Sequence, residues 1–275
     1  MLKKLFTLFK IGRKLSTSGA ISSIYEIYNP PLSVKIFFFI IGFTLKDKKN
    51  NSSSPAGEKL SNALQDMGTT FIKLGQFLAT RPDIIGDKVA KDLEKLQDKL
   101  PPFESYEAER ILKEELETEN FKKIENISKP VAAASIAQVH FAKINLSNEQ
   151  KDVAIKILRP NIEKIFNEEL DALMLLAYMA QNFIKKTKRL KLLEVVFLLK
   201  EITNHEMDLR FEAAGANEFY ENTKNDVGFH VPKIYWTYTS EEILTLDWIE
   251  GISIREKNTL ESKKINIENI ATNII

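Results

Sequence analysis

The sequence predicts an α+β chain in which a helical N-terminal extension precedes a lobe of antiparallel strands. Three stretches carry that prediction. Leu60, Leu64, Met67 and Phe71 recur at spacings of three and four, the period of an amphipathic helix. Pro130-Val-Ala-Ala-Ala-Ser-Ile-Ala-Gln-Val-His140 reads as a strand, a turn of small residues and a second strand, and Val153-Ala-Ile-Lys156 as a third strand ending in a cation. Ile162, Ile165, Phe166, Leu170, Leu173 and Leu176 then return to helical spacing. The composition shifts mark four segments: 1–54, basic and apolar with a polar linker; 55–125, helical; 126–255, the strand lobe; and 256–275, the start of something further.

Composition narrows the function classes. The net charge of +1 gives no electrostatic case for nucleic acid. There is no cysteine, which excludes disulfides and thiolate metal sites. His140, His205 and His230 are too far apart in sequence to form a metal-ligand motif and read as packing or surface residues.

The first fourteen residues are basic, and no acidic residue appears before Glu26. Leu5, Leu8, Phe9 and Gly12 fall near one helical face, and Lys3, Lys10 and Lys14 cluster around another. This pattern fits a membrane-surface helix attracted to anionic lipid, a targeting segment, or an ordinary amphipathic helix of the domain. Ile36 to Leu45 is the most apolar run. It is shorter than the roughly 20 residues needed to cross a bilayer, so it either dips into the interface or packs on protein. Lys46 to Ser54 reads as the linker.

From Glu58 the pattern is helical, ending at Arg81-Pro82-Asp83, with Leu93 and Leu96 continuing the stripe until Pro101-Pro102. Lys73 and Gln76 are three apart and share a face, and Gly75 between them would allow another backbone to approach. By spacing alone the two polar residues are a solvated edge. A further helix, Ser105 to Leu116, leads into the strand lobe.

In that lobe, a turn of small residues lets backbone N–H groups approach phosphates. A lysine on the third strand supplies a compact cation to the same phosphates. Val153 to Lys156 matches the kinase third-strand pattern. The turn departs from the G-x-G-x-x-G of kinases, because no glycine lies between Pro130 and Lys156. Ala132, Ala133, Ala134 and Ser135 stand there instead. Alanine disfavours the positive φ that glycine permits, so the turn should be stiffer. A plain hairpin packed with alanines is the competing reading.

Glu206-Met-Asp-Leu-Arg-Phe-Glu-Ala-Ala214 reads as an acidic helix. On a continuous helix Asp208 and Glu212 share a face and Glu206 points elsewhere. Two carboxylates on one face repel unless a cation sits between them, and Lys156 and Lys73 are the candidates. Read without relatives, these acids are exposed helix charges. Lys185 to Lys191 is a basic run, either a solvated turn or a lipid-headgroup contact. Val231 to Tyr238 and Glu242 to Gly251 read as two strands joined by a short turn.

Four motifs occur together and in order: Lys73-x-Gly-Gln76, the alanine-rich turn, Val153-Ala-Ile-Lys156, and Glu206-x-Asp208 followed by Glu212. Over about residues 55 to 255 the chain resembles the UbiB family of atypical kinase-like proteins (the ADCK proteins of mitochondria). The resemblance implies a kinase-like N-lobe preceded by a helical K-x-G-Q extension that lies over the nucleotide site. It implies ATP, with magnesium, held by Ala132, Ala133, Ala134, Ser135, Ile136, Ala137, Gln138, Val139 and Lys156. Backbone groups of Asp247, Trp248 and Ile249 would meet the adenine edge. Glu212 would pair with Lys156, and Glu206 and Asp208 would meet the K-x-G-Q helix or a metal. The alanine turn and K-x-G-Q helix argue against an ordinary protein kinase.

The family's role is support of ubiquinone (prenylated quinone) biosynthesis at a membrane. The implied partners are a nucleotide, membrane lipid or a prenylated quinone precursor, and other ubiquinone-biosynthesis proteins. The expected location is the cytoplasmic face of a bacterial inner membrane, with the mitochondrial inner membrane as the alternative. A catalytic-loop Asp and Asn and an Asp-Phe-Gly motif would have to follow Gly251. The 24 residues after it contain neither, and Asp226-Val-Gly228 lies too early. The expectation is therefore an N-terminal portion without catalytic residues or metal ligands, inactive and unstable alone. The alternative is a non-catalytic lipid- or partner-binding module.

Overall fold

A computed structural model describes residues 2–18, 20, 23–24, 26, 32, 35–36, 55–96, 100–147, 149–183, 185–254, 256–266 and 270–272. The Lys46–Ser54 linker and nearly all of the apolar run lie outside the described residues. Contacts divide the chain into two interleaved units.

The first unit comprises 1–102, 133–137 and 159–207. Its helices are α1 (Leu2–Ser18), α2 (Ala56–Met67), α3 (Thr69–Ala79), α4 (Pro82–Ile85), α5 (Asp87–Leu93), α8 (Ile162–Phe183) and α9 (Leu192–Glu206). A 3₁₀ segment, Lys185–Leu190, joins the last two. Phe71, Ile72, Leu93, Phe166, Leu170 and Leu199 are fully buried, so the periodic apolar stripes of the sequence face one another, α8 lying against α1 and α9.

The single helix expected from Glu58 is in fact two, α2 and α3. Gly68 separates them with φ 102° and ψ −170°, a region essentially closed to residues with a Cβ. Gly75 admits side chains rather than backbone. A Cβ there would come within 2.9 Å of a Leu96 methyl and 3.0 Å of a Leu64 methyl.

The faces of α1 also differ from the expected ones. Ile11 and Gly12 turn inward, and Lys14 Nζ donates to Met67 O at 3.1 Å and lies 3.5 Å from Glu169. Phe6, Phe9, Lys10 and Arg13 point outward. No helix among the described residues is long and apolar enough to cross a membrane.

The second unit comprises 103–132, 138–158 and 208–275. It contains α6 (Ser105–Glu115), α7 (Thr118–Phe121), α10 (Leu209–Thr223), α11 (Lys257–Ser262) and a five-stranded sheet. The strands are β1 (Ile124–Glu125), β2 (Pro130–Ala133), β3 (Ala137–Asn145), β4 (Gln150–Leu158) and β5 (Ile243–Asp247). Their order is β1-β3-β4-β5, with β2 also paired to β3. Ile144, Ile155, Ile157 and Ile243 bury their side chains against Ile111 and Leu112 of α6. Each such aliphatic side chain contributes about 1.5–3 kcal/mol by leaving water.

Of the two strands expected after 230, only β5 forms. Val231 to Tyr238 gives one bridge, Ile234 to Leu246, and then a 3₁₀ turn at Trp236–Tyr238. The Thr245 hydroxyl donates to Tyr238 O at 2.7 Å and Tyr238 N–H to Tyr235 O at 2.9 Å. The local turn thus satisfies backbone groups that a ladder would otherwise use.

Candidate functional site

Lys156 sits opposite Leu244 in the antiparallel pairing of β4 with β5. Its neighbours Ile155 and Ile157 are fully buried, so the alternation of a strand turns Lys156 to the other face. There its Nζ lies 3.0 Å and 2.7 Å from the two carboxylate oxygens of Glu212. Glu212 is in the first turn of α10, where the exposed N–H groups of a helix start favour a carboxylate. The side chains are 25% and 52% exposed. The ammonium is therefore braced from one side and remains open to a further anion.

The acidic helix of the sequence reading is two helices meeting at Met207–Asp208. Glu206 is the last residue of α9, and Asp208 caps α10 by accepting the Arg210 N–H at 3.0 Å. Asp208 and Glu212 therefore do not share a helical face. Asp208 bonds to its own neighbour, Arg210. The Arg210 guanidinium holds Asp208 through two bonds of 2.8 Å and keeps its carboxyl below the usual carboxylate range.

Glu206 does meet the K-x-G-Q helix. Its Oε2 lies 2.8 Å from Lys73 Nζ, with side chains 36% and 14% exposed. That oxygen is shielded from water without an aligned hydrogen bond, so the ammonium compensates its charge mainly as a point charge. Gln76 is half-buried one turn further along α3.

The alanine-rich turn closes β2 onto β3 through Ala134 N–H to Ala137 O at 2.8 Å. No residue from Ala132 to Ala137 takes a positive φ, as a turn without glycine requires. Ala132 is exposed, Ala133, Ala134 and Val139 are half-buried, and Ser135, Ile136, Ala137 and Gln138 are buried. By its contacts the tip, 133–137, belongs to the helical unit.

Three successive carbonyls of the tip are held there. Arg159 donates Nε and Nη2 to Ala134 O at 3.1 Å and 2.8 Å. The Thr69 hydroxyl donates to Ser135 O at 3.0 Å, and Arg159 N–H to Ile136 O at 2.9 Å. Sequence reasoning missed Arg159 and Thr69, because a side chain that recognises only backbone leaves no complementary residue to look for.

Gln138 is spent internally. Its Oε1 accepts Phe103 N–H at 3.0 Å, and its amide nitrogen lies 2.9 Å from His140 Nε2. His140 Nδ1 faces Ser128 O at 2.8 Å, so the proton sits on Nδ1 and Nε2 accepts from Gln138. Burial lowers the His140 pKa more strongly than the Ser128 bond raises it. The ring is therefore a neutral packing element.

At the end of β5, Asp247 N–H donates to Lys233 O at 3.0 Å and Trp248 N–H to Asp152 O at 3.1 Å. Ile249 is exposed, and no backbone bond engages its amide among the described residues. Asp247 Oδ1 accepts from Tyr235 Oη at 2.7 Å. Burial and then this bond push the phenol's pKa up. Trp248 packs edge-on to Phe141 with centroids 5.2 Å apart. Among the described residues no group of three or more His, Cys, Asp or Glu is placed to hold a metal ion.

Comparison with known proteins adds a family. Residues 95–275 match the ABC1 atypical kinase-like domain. The chain is 36% identical over 242 residues to a protein of Marinobacter nauticus named "Probable protein kinase UbiB", covering 88% of this chain and 43% of that one. Relatives of the same name in Pseudomonas aeruginosa and Azotobacter vinelandii are 34% identical over 220 residues and 32% over 226, covering 78% and 81% of this chain and 40% and 41% of theirs. The chain thus spans about two fifths of the length of the curated relatives it matches.

Proposed function

The chain belongs to the UbiB family of ABC1 atypical kinase-like proteins, with the antiparallel sheet and helices of a kinase-like N-lobe, and we propose that it binds ATP with magnesium in support of ubiquinone (prenylated quinone) biosynthesis at a membrane. The observation that carries this reading is Lys156, held by both oxygens of Glu212 at 3.0 Å and 2.7 Å while still one quarter exposed. A lysine oriented in this way is the phosphate-binding element of a kinase-like strand.

In the same reading the backbone of Ala132 to Val139 approaches the phosphates and Ile249 N–H meets the adenine edge. Asp247 and Trp248 shape that edge, because their own amides already donate within the fold. Gln138 takes part through its backbone alone, its side chain being engaged by Phe103 and His140. Within the helical unit, Glu206 steadies Lys73 of the K-x-G-Q helix. ATP supplies a phosphoanhydride and magnesium the charge neutralisation of its oxygens. What this chain's residues contribute is to bind and orient.

Membrane association is assigned to the outward stripe of α1. Phe6 and Phe9 are exposed beside Lys10 and Arg13, a combination suited to an anionic lipid surface. The setting that fits bacterial relatives is the cytoplasmic face of the inner membrane, with other quinone-biosynthesis proteins as partners.

The test is titration of the full chain with a fluorescent ATP analogue and magnesium. Lys156→Ala should weaken binding at least tenfold, and unchanged affinity refutes the reading. Vesicles containing anionic lipid should bind the chain and lose it when Lys10 and Arg13 become Gln. Vesicle binding with no nucleotide binding would favour a lipid- or partner-binding module instead.

A further inference from the structure

The helical unit holds a cleft that the nucleotide reading does not use, and we propose that it binds a single amphiphile with a phosphate head and an acyl tail. Its volume is about 360 Å³, at the small end of ligand pockets. Its walls come from the start of α4, the end of the 3₁₀ segment and the first two turns of α9. All of these belong to one unit.

The polar half of the cleft carries an unbalanced cation. Arg81, Arg189 and Lys191 line it together with two carboxylates, Asp83 and Glu194. Each carboxylate is already held by a cation close to it in sequence. Arg81 donates Nε and Nη2 to Asp83 at 2.8 Å and 2.7 Å, and Lys191 Nζ lies 3.0 Å from Glu194. Arg189 is exposed and pairs with no acid among the described residues. Three cations against two anions leave one positive charge, which a bound anion neutralises. The planar fork of a guanidinium suits two phosphate oxygens.

The apolar half accounts for the tail. Ile84, Leu190, Val195 and Leu198 form the floor, and Leu198 is 40% exposed. Ile202, also 40% exposed, follows four positions later on α9. The two therefore share a face and extend the floor along the helix. A head at Arg189 with a chain along Leu198 and Ile202 uses both halves, whereas inorganic phosphate uses only one.

The backbone supplies a variant suited to the test. Lys191 links the 3₁₀ segment to α9 at φ 47° and ψ 48°, a left-handed conformation that Asn tolerates better than Lys. Lys191→Asn therefore removes the charge without straining the fold.

The experiment is isothermal calorimetry of the full chain with dihexanoyl phosphatidic acid, kept below its micelle-forming concentration. One saturable site is expected. Dihexanoyl phosphatidylcholine, whose head carries its own cation, and inorganic phosphate, which has no tail, should each bind at least about tenfold more weakly. Arg189→Gln and Lys191→Asn should each weaken phosphatidic acid about tenfold. Leu198→Asn should weaken it about fivefold while the melting temperature stays in place.

Replacing Lys10 and Arg13 with Gln should leave this binding unchanged, which separates the cleft from the outward stripe of α1. Vesicles of phosphatidylcholine with phosphatidic acid identify the source of the ligand. Weaker vesicle binding by the Arg189→Gln chain assigns a bilayer lipid, and unchanged vesicle binding a freely dissolved amphiphile. Absence of saturable phosphatidic acid binding overturns the proposal. So does equal affinity for phosphatidylcholine or inorganic phosphate, or full affinity in the Arg189→Gln and Lys191→Asn chains. Lys156 takes no part, so the nucleotide reading stands or falls separately.

Discussion

Lys156 and Glu212 allow a quantitative test of whether their ion pair exists for stability or for a ligand. The perturbation is a double-mutant cycle of Lys156→Met, Glu212→Gln and both together. Nζ lies 2.7 Å and 3.0 Å from the carboxylate oxygens, but the side chains are 25% and 52% exposed. At that exposure solvent screens most of the attraction, and such pairs contribute about 0.2–1 kcal/mol, against about 3–5 kcal/mol for breaking a truly buried pair. The expected coupling energy is therefore about 0.5 kcal/mol, falling further in high salt.

Both tryptophans of the chain, Trp236 and Trp248, lie in the sheet-containing unit. Urea unfolding followed by tryptophan fluorescence therefore reports the unit that holds the pair. A coupling energy above about 3 kcal/mol would mean that the two charges are desolvated and structural, and the account of a lysine left open for phosphate would be refuted. In the same variants ATP affinity should fall by at least about tenfold, a larger effect than the stability loss explains.

Three further outcomes are expected. Gly68→Ala should destabilise the helical unit by about 1–3 kcal/mol, since φ 102° and ψ −170° exclude a Cβ. Thermal unfolding of the single variant checks this. Acidification should weaken the sheet unit through His140. Its folded pKa lies below the ordinary 6.5, so the unfolded chain takes up a proton first and stability falls as pH drops from about 6.5 toward the folded value. Tryptophan-detected urea midpoints between pH 7.5 and 5 measure this, and His140→Gln should flatten the profile. Glu242 carries a raised pKa, from burial first and then from Glu115. Its ionised form is therefore a burden that grows as pH rises through 4.5 and the folded value. Glu242→Gln should raise the melting temperature at pH 7 and lose that advantage near pH 4.

What could be read from the sequence, and what could not, follows from the kind of interaction. The apolar stripes gave the helices of both units, and the alternating β3 and β4 gave the sheet, because side-chain period encodes which face is buried. The pairing of Lys156 with Glu212, and a meeting of Glu206 with the K-x-G-Q helix or a metal, were expectations of the family resemblance, since nothing in the spacing joins Lys156 to Glu212 or names Lys73 as the partner of Glu206. The break at Gly68 is a matter of φ, which apolar spacing does not report. The break at Met207–Asp208 hid because Asp serves equally as a helix cap or an exposed interior charge. Lys14 was read as part of a basic face with Lys3 and Lys10, yet its reach to Met67 O draws it inward. Val231 to Tyr238 has strand composition, but hydroxyls of Thr239 and Thr245 give its carbonyls local partners.

The ABC1 domain match begins at residue 95, whereas the hydroxyl that holds Ser135 O comes from residue 69. The border of that domain and the borders drawn by contact therefore disagree within this protein. A fragment cut at residue 95 would retain both strands of the hairpin but discard a support of its tip, so ligand affinities measured on such a fragment would describe a different molecule.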